Sequence, residues 1–268
     1  MRIAIVSDFY LDYVGGLQTS MREQVAALES EGLRVLRISR NTRKLRRGIH
    51  AGNRFTIRLR EPDFDPALAA QRWQVIAEKG VPNFFGTQRF GNDGRNVEKA
   101  LAMFRGAFTP ADRLLRGLLL SAARSHLFNT VVSGRMAEGN WDRPLTGEVF
   151  GFADNGTILL PEKQRGDEVS RFEQGVVELT APMWGSGELQ SVDEVRELEQ
   201  KLVAGHPELT AGLETFGLRQ ERRVMRLRPL LPVCEILENG DLQFRFDLPK
   251  GTYATTLLRE LAVLEERD

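Results

Sequence analysis

The chain has 268 residues, with 37 Lys or Arg matched by 37 Asp or Glu. Hydrophobic residues make up 41% and charged residues 28%, the balance of a soluble globular protein of one or two domains. That composition excludes disorder or a fibrous repeat as the main description, and zero net charge leaves any nucleic-acid signal to local clusters. The single cysteine, Cys234, cannot form an internal disulfide, and the scattered His50, His126 and His206 do not suggest a metal site, so none is expected. Apolar runs such as Leu118–Leu120 with its neighbours fall far short of the ~20 residues of a membrane helix. The run Ile3–Val6 is too short for a signal peptide. A cytoplasmic protein without a membrane partner is expected.

In chain order, Ile3–Val6 reads as a strand, Gly15-Gly16 as a break, Thr19–Ser30 as a helix and Leu33–Ile38 as a second, half-buried strand. Ser7-Asp8 with Gly15-Gly16 could admit a phosphate but fits a plain βα turn better. A basic stretch follows, in which Phe55–Arg60 alternates as a strand with one charged face. Helices are predicted over Pro66–Lys79, Asn96–Phe104 and Leu114–Arg135, with a turn-rich aromatic loop at Gly80–Gly86. The middle of the chain is acidic, with ten Asp or Glu against five Lys or Arg between Pro161 and Val203. A charged helix over Leu213–Met225 leads to strands Leu230–Leu237 and Leu242–Leu248. Asn239-Gly240 between them signals a hairpin. A helix over Ala254–Glu265 ends the chain. Strands at both ends and an acidic middle suggest one mixed α/β domain interrupted by an inserted one.

Three features carry chemistry. From Arg40 to Arg60 there are eight cations and no acid: Arg40, Arg43, Lys44, Arg46, Arg47, Arg54, Arg58 and Arg60. A polyphosphate would relieve their repulsion and bind through counterion release; a solvated, protected sheet edge is the alternative. Next comes the loop Pro82-Asn83-Phe84-Phe85-Gly86 through Arg89-Phe90-Gly91. Two adjacent rings on a tight loop are not expected to enter one core together, so one could stack on an extruded base, while Asn83 meets the base edge or pins the loop. The plainer alternative has Phe84, Phe85 and Phe90 plugging the core. The third is Pro249-Lys250-Gly251-Thr252-Tyr253 entering the last helix, either an anion site or a capped helix start.

These motifs together resemble the TruD family of tRNA pseudouridine synthases over about Leu33–Asp268. The resemblance rests on Arg43-Lys44-Leu45-Arg46-Arg47-Gly48 with Gly52-Asn53-Arg54-Phe55, and on Gly80–Gly86 with Arg89-Phe90-Gly91. It continues through Leu120–Ser125 with Leu127-Phe128-Asn129, and ends at Gly251–Thr255 with Arg259-Glu260-Leu261. It implies an α+β fold: a pseudouridine synthase-like mixed or antiparallel sheet core, residues 39–109 and 229–268, with an inserted α/β TruD domain at 110–228. It also implies tRNA as partner, uridine at position thirteen as target and no cofactor; the sequence does not fix the oligomeric state, and a monomer is the expectation. Asn83, Phe85 and Arg259 map onto base contacts, with Arg43, Lys44, Arg46, Arg47, Arg54 and Arg89 toward the RNA backbone. The family's nucleophilic aspartate sits in a Gly-x-Lys-Asp motif upstream of the basic stretch. No Lys-Asp pair precedes Arg43, so no catalytic residue is assigned; Asp8 and Asp12 are the carboxylates weighed as substitutes. Met1 to about Gly32 instead resembles the opening of a GT4-type glycosyltransferase, which would make residues 1–38 a foreign βαβ segment. A non-catalytic RNA-binding remnant is the alternative function.

Overall fold

The computed structural model describes residues 52–91, 93–153, 156–249 and 251–261. The chain divides into two units, Met1–Ala51 and Gly52–Asp268, and only the second is described. The elements expected between Ile3 and Ile38, and the cations from Arg40 to Arg47, lie outside the described residues. No helix among the described residues is long and apolar enough to cross a membrane.

The ends of this unit meet in a three-stranded antiparallel sheet, ordered β1 (Gly52–Leu59), β9 (Leu242–Pro249), β8 (Leu230–Ile236). β1 runs against β9 from the Gly52↔Pro249 pair to Leu59↔Leu242. The strand therefore starts three residues before the expected Phe55. Gly52 permits this, because a Cβ there would fall 2.3 Å from the Leu248 carbonyl oxygen. Along β9 every second residue is buried, the alternation that sends one face into a core. β8 and β9 form the hairpin that Asn239-Gly240 signals. Gly240 takes φ 85°, a left-handed conformation that a glycine adopts without strain.

Helix α1 spans Pro66–Lys79, as its sequence requires. Asp65 caps it by accepting from the Ala67 N–H at 2.8 Å, Pro66 supplies the preset first φ, and Gly80 ends it at φ 75°. It buries Ala69, Trp73 and Ile76, one face at helical spacing. Trp73 packs on Phe244 and Phe246 of β9, with ring centres 4.9 and 5.3 Å apart. The short pair β2 (Val81–Pro82) with β7 (Arg226–Leu227) links this apolar cluster to the next.

The larger cluster is built on α2 (Asn96–Phe104) and the long α3 (Arg113–Ala137), capped by Asp112. Against them lies a four-stranded sheet ordered β4 (Ile158–Leu159), β3 (Phe150–Phe152), β5 (Val177–Met183), β6 (Glu221–Val224). Helices α4 (Glu168–Glu173), α5 (Asp193–Val203) and α6 (Pro207–Thr215) complete the lobe. α2 and Phe85 belong to this cluster, whereas sequence boundaries at 110 and 228 put them with the other. The pairing of named strands is antiparallel throughout and the fold is α+β.

Two expected helices are corrected. The segment Leu213–Met225 is not one helix: α6 stops at Thr215, Gly217 takes φ 77°, and Glu221–Val224 is strand β6 on β5. The final helix, α7, covers Ala254–Leu258, and residues after 261 lie outside the description. The expectation that Phe84 and Phe85 would not share a core also fails. Phe85 is a member of the larger cluster, and Phe84 and Phe90 pack against it.

Candidate nucleotide site

The loop after β2 is gripped from two sides. The Asn83 N–H donates to the Met225 carbonyl at 2.7 Å, and Asn83 Nδ2 donates to the Val224 carbonyl at 3.0 Å. Its Oδ1 accepts from Arg223 Nη2 at 2.9 Å. Asn83 is 1% exposed, and both polar atoms of its amide have a protein partner. Of its two expected tasks, the geometry displays the pinning of the loop. Two residues on, Phe85 exchanges a reciprocal pair of hydrogen bonds with the Asn129 side chain on α3.

The Phe85 ring is 6% exposed and meets Phe128 edge-on at 5.4 Å between centres. It belongs to the larger apolar cluster, and two cations also lie against it: the guanidinium of Arg223 is 4.3 Å from its centre and that of Arg89 5.1 Å. Such cation–π contacts hold a charge against a ring without neutralising it. Arg89 Nη1 donates to Ser121 Oγ at 2.9 Å, and Nη2 to the Tyr253 hydroxyl at 3.1 Å. Arg223 reaches the Gly251 carbonyl with both Nη atoms at 3.2 Å. Burial pulls the Arg223 guanidinium down to about 10, with Tyr253 opposing and Arg89 reinforcing that shift. Arg223 therefore stays charged at neutral pH.

A small cleft lies beside these groups. Gly86, Thr87 and Arg89 line it from the turn after the loop, and Tyr253, Thr255 and Arg259 from the start of α7. Arg259 Nη2 donates to Thr87 Oγ1 at 3.1 Å, so the two walls touch. Hydroxyls and guanidinium groups dominate the lining, and no carboxylate is among the residues that line it. Among the described residues no group of acids, histidines or cysteine could hold a metal ion.

The structure thus brings Asn83, Phe85, Arg89 and Arg259 together. Arg54 is engaged differently: its Nε and Nη2 grip both oxygens of Asp247 at 2.7 Å. Arg58 pairs with Asp241 at 2.6 Å. Part of the anionic cover expected for the basic stretch therefore comes from β9 and the hairpin turn. Sequence reading missed Arg223 and Ser121 as parts of the site, and placed Tyr253 only in a separate turn before the last helix. Arg223 was hidden within the segment read as a charged helix, whereas the two-residue period of β6 sends Arg222 toward Glu199 and Arg223 toward Phe85.

A recessed aromatic ring under guanidinium groups, beside a hydroxyl-rich cleft, makes this a candidate site of the class that takes a planar group on an anionic backbone. Comparison with known proteins narrows this class. The profile of the family described as tRNA pseudouridine synthase D (TruD) matches residues 14–103 and 94–261. The tRNA pseudouridine synthase D of Colwellia psychrerythraea is 39% identical over 97% of this chain and 72% of its own length. That of Xanthomonas axonopodis pv. citri is 42% identical over 88% of this chain and 68% of its own. Among solved structures, a putative tRNA pseudouridine synthase D from Methanosarcina mazei shares the fold, with TM-score 0.61 and 20% identity. It covers 88% of this chain, which covers 75% of it. The chain belongs to the tRNA pseudouridine synthase D (TruD) family. The matched span starts at residue 14, so much of the glycosyltransferase-like opening falls inside it and the family's reach begins earlier than Leu33.

Proposed function

We propose that the chain is a tRNA pseudouridine synthase whose uridine site is the cleft beside Phe85. Uridine at position thirteen is the target that the family implies, and a cytoplasmic monomer fits this substrate. The single observation that carries the reading is the buried Phe85 ring beneath two guanidinium groups that have no carboxylate partner among the described residues. An extruded uracil reaches the ring by displacing Arg89, which is held by two hydroxyls and borders the cleft, and Arg259 lies on the opposite wall. By the family resemblance, Arg43, Lys44, Arg46, Arg47 and Arg54 are the cations assigned to the RNA backbone, and Arg54 would exchange its Asp247 partner for a phosphate. The reaction is an isomerisation: the bond from C1′ to N1 breaks, C1′ bonds to C5, the C5 proton leaves and N1 gains one.

A second reading is favoured by two observations: no Lys-Asp pair precedes Arg43, and no carboxylate is among the residues lining the cleft. In that reading the chain holds tRNA without converting it. Incubation with an unmodified tRNA transcript separates the two. Pseudouridine at one position supports the synthase, whereas salt-sensitive binding without product supports the remnant. Binding that is flat between low and high salt contradicts both, since phosphate contacts release counterions.

A further inference from the structure

Arg223 joins the parts of the cleft. Its Nη2 donates to Asn83 Oδ1 at 2.9 Å and both Nη atoms reach the Gly251 carbonyl at 3.2 Å. Its Cζ stands 4.3 Å from the centre of Phe85 and 5.8 Å from that of Phe128. One planar group thus connects the loop after β2, the turn before α7, and α3. The charged and titratable groups facing it are Arg89 and Tyr253. Its buried Nε has no hydrogen-bond partner, and neither has that of Arg89. Arg222, its neighbour on the other face of β6, is paired with buried Glu199, which is the usual way to bury a guanidinium. A clamp that served folding alone would be cheaper with such a partner or with a neutral donor.

We propose that Arg223 is a positioning residue of the uridine site, holding Asn83 and Phe85 in register while keeping an unneutralised positive charge against the ring that receives the base. This rests on the reading of the cleft as a base site. The charge polarises the Phe85 face, and a carbonyl-bearing base stacked on that ring lies within its field.

The test titrates the protein with two RNA stem-loops, one carrying the target uridine and one abasic at that position. The wild type is expected to favour the uridine RNA by roughly 5- to 100-fold, the range for one stacked base. Arg223→Gln should bring that preference to within about twofold, with affinity for the abasic RNA and melting temperature retained. Arg223→Lys should keep the preference at about pH 6 and lose it by about pH 9, as a desolvated ammonium deprotonates early. The wild-type preference should hold across that range. A preference that survives in Arg223→Gln, or one in Arg223→Lys that tracks the wild type at every pH, overturns the role of Arg223. If Arg223→Gln does not fold, the lysine profile decides alone. A wild type that shows no preference overturns instead the assignment of the cleft to a base.

Discussion

The N–H of Phe85 donates to Asn129 Oδ1 at 2.9 Å, and Asn129 Nδ2 donates back to the Phe85 carbonyl at 3.0 Å. A side-chain amide on the long helix α3 thereby satisfies both backbone groups of the residue whose ring defines the site. The loop is fastened by its backbone, which leaves the ring's position to its packing partners.

The first prediction follows from that pair. Asn129→Asp keeps the acceptor for the Phe85 N–H but loses the donor to its carbonyl. It should cost about 1–3 kcal/mol, the penalty for one buried unpaired group. Asn129→Ala, which orphans both, should cost more. Urea unfolding measures the difference, and an Asp variant as stable as wild type would contradict the reciprocal pairing.

Phe85 serves both core and cleft, so truncation mixes two effects. Phe85→Ala should lose about 3–5 kcal/mol of stability, as large-to-small core changes do. Phe85→Leu retains most of the buried volume. It should stay folded, keep general RNA affinity and lose the preference for a uridine over an abasic position. Retention of that preference in Phe85→Leu would reduce the ring to a core plug.

In the helical lobe, Arg135 and Glu148 form an ion pair with both side chains 1% exposed. Glu148→Gln leaves the Arg135 charge buried and uncompensated, and should destabilise by about 3–5 kcal/mol. Replacing both by apolar residues of similar volume, Arg135→Met with Glu148→Leu, should recover much of that loss. A double variant worse than the single one, measured by urea midpoint, would contradict the desolvation account.

The hairpin turn supplies a pH prediction. The Glu61 N–H, 3.0 Å from Asp241 Oδ1, holds that carboxyl down to about 2, with Asn239 and the Arg58 guanidinium adding to it. Because the folded pKa lies below the unfolded one, the ionised form stabilises the fold above about pH 4, and that stability is lost as pH falls toward about 2. Asp241→Asn should therefore lower the urea midpoint at neutral pH and change it little near pH 2. An equal loss at both pH values would show that Asp241 acts by shape and not by charge.

The segments of α1 and α2 were legible as helices, and Asn239-Gly240 between alternating runs announced the β8–β9 hairpin. β6 was not legible, because Glu221-Arg222-Arg223 carries no apolar alternation. Its two arginines are accommodated by Glu199 on one face and by Phe85 and Asn83 on the other. The partners of Arg54 and Arg58 were hidden for a related reason. Asp247 and Asp241 lie 193 and 183 residues away in sequence and become neighbours only when β1 pairs with β9. Asn83 and Phe85 stood out on their aromatic loop and Tyr253 at the turn before the last helix, Arg259 came from motif resemblance, and nothing local announced Arg223 beside them.

The central claim is that this cleft isomerises a uridine of tRNA. Transcripts labelled with tritium at carbon five of uridine test it most directly, because forming the bond from C5 to C1′ expels that hydrogen to water. Tritium release that saturates at one equivalent per tRNA, and slows with Arg223→Gln, is the expected result. A transcript that binds with steep salt dependence and releases no tritium would contradict the claim and leave a tRNA-binding protein without the isomerase step.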